Sequence, residues 1–221
     1  AGPGRRRRTT PALLLHGLGQ TSAAWGGLVA ELARDREVLA PDLKGLGGSE
    51  AAPPYDGDTV AAELAALVLH CVDGPVDVVG HDVGGLLALA LAGARPDLVR
   101  RLVVVAVPYG PSSRLRSWRA GPRAGSSAAS AYRRSLGSGR PANGLDQLER
   151  ALVLAGAADR MAPIGAAQRL AGDLGPATVT VTLPGAGHWP LGDEPALSTA
   201  VIAAFLREPA VRPAPSDGSR S

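Results

Sequence analysis

The chain has 221 residues, 45% of them hydrophobic, with 23 Lys+Arg against 20 Asp+Glu and a formal net charge of +3. That length suits one sizeable core and is short for two. A single cysteine, Cys71, excludes a disulfide framework and any multi-cysteine metal site, and points to a reducing compartment. The weak positive charge lies in local Arg clusters rather than along one helix or groove, so no nucleic-acid partner is expected. After Arg5–Arg8 the apolar run is only about five residues long, short of the roughly seven to fifteen of a leader's apolar region. No segment reaches the roughly 18–20 apolar residues of a membrane span, so a cytoplasmic protein with no membrane contact is expected.

Residues 1–9 read as a disordered basic tail. Ala12–Leu15 is the first strand, Thr21–Arg34 a helix, and Val38–Ala40 a short second strand ended by Pro41. Helix Thr59–Cys71, strand Val76–Val79, helix Gly84–Ala94 and strand Leu102–Val107 follow. Strand Ala151–Ala155, helix Ile164–Leu174, strand Val179–Leu183 and helix Ala196–Arg207 complete the series. Most strands are apolar on both faces and alternate with helices, which predicts an α/β fold with a doubly wound, mostly parallel sheet of about six strands. The core then occupies 10–110 and 144–208, and 209–221 is a second tail. Residues 111–143 break the alternation. They carry Arg114, Arg116, Arg119, Arg123, Arg133, Arg134 and Arg140 with no acid, and read as a short inserted lid favouring an anionic substrate or simply a solvated loop.

The chemistry concentrates in three places. In Val76-Asp-Val-Val-Gly80-His-Asp82-Val-Gly-Gly85 a strand runs into a sharp turn and a helix begins at once on small residues, the pattern of a nucleophile elbow. Its centre is Asp82. A carboxylate is ionised without help, and once alkylated it is an ester that water can cleave, whereas an alkylated serine is an inert ether. The residue type therefore points to alkyl transfer. The bland reading makes Asp82 a helix cap. Asp159 comes just after the strand Ala151–Ala155, and His188 just after the next strand, so nucleophile, acid and base occur in a workable order. His188 would activate water and Asp159 orient its ring. His16 and His81 read as structural, packed under neighbouring loops, and His70 as the buried end of a helix. No metal-ligand spacing and no phosphate-binding glycine loop is present, so neither metal nor other cofactor is expected.

These motifs resemble the α/β-hydrolase superfamily, and Gly80-His-Asp-Val-Gly-Gly85 is similar to the elbow of its epoxide hydrolase and haloalkane dehalogenase branch. His16-Gly17-Leu18-Gly19 resembles the family's oxyanion segment. The resemblance implies N–H donors at Leu18 and Val83, and Asp82, Asp159 and His188 as the catalytic set. Pro41–Ser49 resembles a structural turn of the family. A dehalogenase of this branch holds the leaving halide with side-chain donors where Val83 and Leu18 stand, and neither can donate. An epoxide hydrolase uses two lid tyrosines on the opening ring oxygen, for which Tyr132 and Tyr109 are the candidates. The expected function is thus epoxide opening to a diol. Haloalkane or haloacid dehalogenation, with Trp118 or Trp189 at the halide, and a non-catalytic binding protein are the alternatives. The partner is a small molecule, apolar or anionic. The family also has strands before the oxyanion segment, which would leave Val38–Ala40 as an open edge and favour a homo-oligomer.

Overall fold

The computed structural model describes residues 9–110, 127–135, 145 and 148–209. The two expected tails, apart from Thr9 and Pro209, lie outside the described residues, as do Trp118 and the seven arginine side chains of the insertion. Six parallel strands form one sheet: β1 (Ala12–Leu15), β2 (Val38–Leu39), β3 (Val76–His81), β4 (Val99–Val105), β5 (Arg150–Gly156) and β6 (Thr178–Leu183). Their spatial order is β2-β1-β3-β4-β5-β6. Parallel neighbours need crossovers, and these are helical: α1 (Gly26–Leu32), α2 (Gly57–Cys71), α3 (Val83–Ala94) and α5 (Ile164–Leu174). The described part of the insertion contributes α4 (Ser127–Ser135), and the chain closes with α6 (Pro190–Asp193) and α7 (Pro195–Arg207).

Alternation along the strands sends side chains to opposite faces. Leu13, Leu15, Val78, Leu102 and Val153 pack with Val60 and Leu64 of α2, Leu87 and Leu91 of α3 and Leu170 of α5. Leu14, Val79, Val103, Val105 and Leu154 pack with Leu28 and Leu32 of α1 and with Ile202 and Phe205 of α7. The doubly wound sheet expected from the sequence is therefore present, with helices on both faces. Among the described residues, no helix is long and apolar enough to cross a membrane.

Three elements differ from expectation. The helix read over Thr21–Arg34 is a 3-10 turn, Ser22–Trp25, followed by the seven-residue α1, and the break falls at Gly26-Gly27, where helix propensity is weakest. β3, which holds Asp77, runs on to His81, and β4 begins earlier than its apolar run, taking in Arg100 and Arg101. These charges can be buried in strands because they are paired. Asp77 lies 3.0 Å from Arg36 and 2.6 Å from Arg100, and Arg101 lies 2.6 Å from Glu149 and donates to the Phe205 carbonyl at 2.7 Å. β2 is an edge of the described sheet, paired to β1 through Val38 and Leu39 only.

After β1 the chain turns to one side to build β2, then returns to the other side to build β3. The carboxyl ends of β1 and β3 thus flank the point where strand order reverses, the place where open α/β sheets form a crevice. The loop after β1 begins at His16, and the turn after β3 is Asp82.

Candidate active site

Asp82 sits at φ 50°, ψ −116°, a strained backbone for a residue with a side chain. The turn is this tight because small residues surround it. A Cβ on Gly80 would lie 2.4 Å from the Gly84 carbonyl, and one on Gly84 would lie 2.1 Å from the Leu15 carbonyl. The Asp82 N–H donates to the Val105 carbonyl at 3.1 Å, and the Asp82 carbonyl accepts from Gly85 and Leu86. Asp82 therefore does not cap α3 with its side chain. The carboxylate is left for other partners.

One of them comes from the loop after β1. The Leu18 N–H donates to Asp82 Oδ2 at 3.1 Å. The loop is a tight turn in which the Gln20 N–H donates to the Gly17 carbonyl at 3.2 Å and Gly19 takes φ +77°. Proline, fixed near −65°, cannot occupy that position, which accounts for the glycine there. Val83, the second expected donor, directly follows Asp82 as the first residue of α3. Of these two N–H groups, it is Leu18's that donates to the Asp82 carboxylate.

Asp82 Oδ1 is buried and has no hydrogen-bond partner among the described residues. His188 Nε2 lies 3.7 Å from it, an ion-pair distance rather than a hydrogen bond. His188 Nδ1 lies 2.9 Å from Asp159 Oδ2, while Asp159 Oδ1 accepts from the N–H groups of Met161 and Ala162 at 2.7 and 2.9 Å. The acid is thus held by three contacts and turns the imidazole toward Asp82. Burial pulls the His188 pKa down, but the hydrogen bond that the ring donates to Asp159 and the charge of Asp82 outweigh it and carry the value up to about 9. Burial alone would raise the two carboxyls, and His188 holds both below the usual carboxylate range. At neutral pH the resting site is an imidazolium between two carboxylates.

The structure thus brings together Asp82, Asp159, His188 and the Leu18 N–H. The hydroxyls of the two tyrosines expected to face a ring oxygen have partners elsewhere in the described residues. Tyr132 donates to the Lys44 carbonyl at 3.1 Å, and Tyr109 to Asp173 Oδ2 at 2.6 Å. His16 is structural, its Nε2 accepting the Leu43 N–H at 2.9 Å. His81 is buried but is not passive packing, because its two ring nitrogens contact Gln20 Oε1 and the His188 carbonyl. Sequence reasoning missed Gln20. Its only signal is a polar residue three positions after Gly17 in the oxyanion turn. Among the described residues no group of three His, Cys, Asp or Glu could hold a metal.

Residues 10–125, just over half of the chain, match the alpha/beta hydrolase fold family. The chain belongs to this family. It is similar to the soluble epoxide hydrolase of Corynebacterium sp. (strain C12), 41% identical over 96 residues, which is 43% of this chain and 34% of that protein. It is also similar to lipase LipV of Mycobacterium tuberculosis, 43% identical over 93 residues, 42% of this chain and 35% of that one. The chain is thus matched to about a third of the length of these curated relatives. A thermophilic esterase from Thermogutta terrifontis shares the fold, with a TM-score of 0.73, 24% identity, and coverage of 90% of this chain and 89% of that one. A hydrolase of the alpha/beta family is what the relatives and the fold have in common.

Proposed function

We propose that this hydrolase works through an alkyl ester on Asp82 and opens an epoxide to a diol. The observation that carries the reading is the state of the Asp82 carboxylate. One oxygen is held by the Leu18 N–H, and the other is buried, without a hydrogen bond among the described residues, facing His188. An oxygen so stripped is a nucleophile, and its partner is placed to become the carbonyl oxygen of the resulting ester.

Oδ1 attacks a ring carbon, the carbon–oxygen bond of the ring breaks, and the freed oxygen takes a proton. Asp82 is then a neutral ester, so His188 loses one of the two charges that hold its proton and gives it up. The proton released equals the proton the ring oxygen takes. Neutral His188 next removes a proton from water, and the hydroxide adds to Cγ while charge builds on Oδ2 against the Leu18 N–H. The intermediate expels Oδ1 with the alkyl group, and the carboxyl proton passes to that oxygen as the diol's second hydroxyl. Ionised Asp82 opposite protonated His188 is the resting pair again.

A halide leaving group, by contrast, needs no proton, and the side chains of Leu18 and Val83 give it no donor. The test is turnover of a styrene-type epoxide in heavy-oxygen water, with mass spectrometry of the peptide carrying Asp82. Label in Asp82 after repeated cycles supports the reading. Diol without label in Asp82 overturns the covalent step, halide release from short bromoalkanes favours dehalogenation, and no turnover of either favours a binding protein.

A further inference from the structure

We propose that His81 and Gln20 form a positioning bridge that sets the oxyanion donor and the base relative to each other, and that the bridge serves ester hydrolysis far more than alkylation. The proposal rests on the covalent reading above.

His81 ends β3 and precedes Asp82, and its ring is almost wholly enclosed. Nδ1 lies 3.0 Å from Gln20 Oε1, which also accepts the Gly17 N–H at 2.9 Å. Nε2 lies 2.8 Å from the carbonyl oxygen of His188 itself. One imidazole therefore touches the turn that presents the Leu18 N–H and the backbone that carries the base. The ring lies flat enough on the turn that a Cβ on Gly17 would come within 2.4 Å of Nδ1. On its other side the ring packs 4.6 Å from Trp189 and 5.2 Å from His188, centroid to centroid.

Burial lowers the His81 pKa to about 4, so the ring is neutral at working pH and does not serve as a second acid or base. A neutral imidazole has one N–H for two acceptor contacts, so the bridge acts by position and not by charge. What it positions has unequal value in the two half-reactions. When Oδ1 attacks the substrate, negative charge leaves the carboxylate, and the Leu18 N–H binds the product ester less well than the starting anion. When water attacks the ester, charge returns to Oδ2 and the same N–H is at its most useful. His188 acts as a base only in that second half, and in the first it merely releases the proton it already holds. Both groups tied by the bridge thus act in hydrolysis, and a bridge cut at either end slows that step selectively.

The experiment is rapid mixing of the full chain with styrene oxide, acid quenching, and mass spectrometry of the ester on Asp82, which separates the two rates. The variants are Gln20→Met, which removes the acceptor from a half-buried loop residue, His81→Phe, which keeps a ring but removes both nitrogens, and Gln20→Glu, which keeps an oxygen acceptor. Gln20→Met and His81→Phe are expected to slow hydrolysis by about 10- to 100-fold and alkylation by no more than about threefold. The ester then accumulates toward one per chain, and kcat and KM fall together. Gln20→Glu restores hydrolysis to within about threefold of the parent, which a packing role would not require. Where His81→Phe fails to fold, Gln20→Met decides. Equal slowing of both steps in Gln20→Met, or an unchanged ratio of the two rates, overturns the bridge. A parent enzyme that makes diol without any ester on Asp82 overturns the covalent reading instead, and the bridge's stated role with it.

Discussion

Replacing Asp82 by Asn removes one of the two negative charges flanking His188, and the geometry sets the size of the response. The Nε2–Oδ1 separation is 3.7 Å, and the His188 side chain is 25% exposed. At an effective dielectric constant of about 20 the pair is worth about 4.5 kcal/mol, and in bulk water about 1.1 kcal/mol. At about 1.4 kcal/mol per pH unit, the His188 pKa falls by about one to three units, from its native value of about 9. A histidine-selective NMR titration of the parent and Asp82→Asn reads the change directly. A shift smaller than about half a unit, or a parent His188 that titrates at or below the ordinary histidine value of about 6.5, refutes the ion pair and with it the idea that ester formation frees the base.

The same charge arrangement links stability to pH. His188 has a raised pKa in the folded chain, so its contribution is full below pH 6.5 and is lost as pH rises through about 9. Urea unfolding of the parent is expected to weaken by up to about 3 kcal/mol across that window, and by clearly less in Asp82→Asn. Asp77→Ala leaves Arg36 and Arg100 without their shared carboxylate. A loss of about 3–5 kcal/mol in the same assay is expected. Tyr132→Phe removes one hydrogen bond to the Lys44 carbonyl and should cost about 1 kcal/mol while leaving epoxide turnover within about threefold. A hundredfold loss of turnover would identify Tyr132 as the ring-oxygen donor.

The alternation of apolar strands and helices was legible because parallel strands buried on both faces are written as short continuous runs. The elbow was legible for a different reason: its glycines answer to backbone contacts within a few residues, Gly80 against Gly84 and Gly85. Asp159 and His188 could be read as an ordered pair after successive strands, and the structure places their side chains 2.9 Å apart. Other features depend on partners distant in the chain. Arg100 and Arg101 fall outside the strand read from Leu102 because a lone charge does not belong in a sheet, and only Asp77, Glu149 and the end of α7 make them tolerable there. The tyrosines carry the same lesson, since no local pattern tells that Tyr109 reaches Asp173 and Tyr132 reaches Lys44. His81 could be read as buried, but its tie to Gln20 spans 61 residues and its tie to His188 spans 107.

The buried charges at the start of β3 and the carboxylate just beyond its end are five residues apart on one strand. At about 3.3 Å per residue that is about 16 Å, beyond the roughly 10 Å within which substitutions usually influence one another. One pole of the sheet rivets the layers together and the other carries the proposed chemistry. Laboratory evolution can therefore treat them as separate dials. A library varying the loops around Leu18, Asp82 and His188 can be combined with stabilising changes near Asp77 and Arg101, and the effects should add, so stability gained at one pole offsets the strain that new specificity introduces at the other.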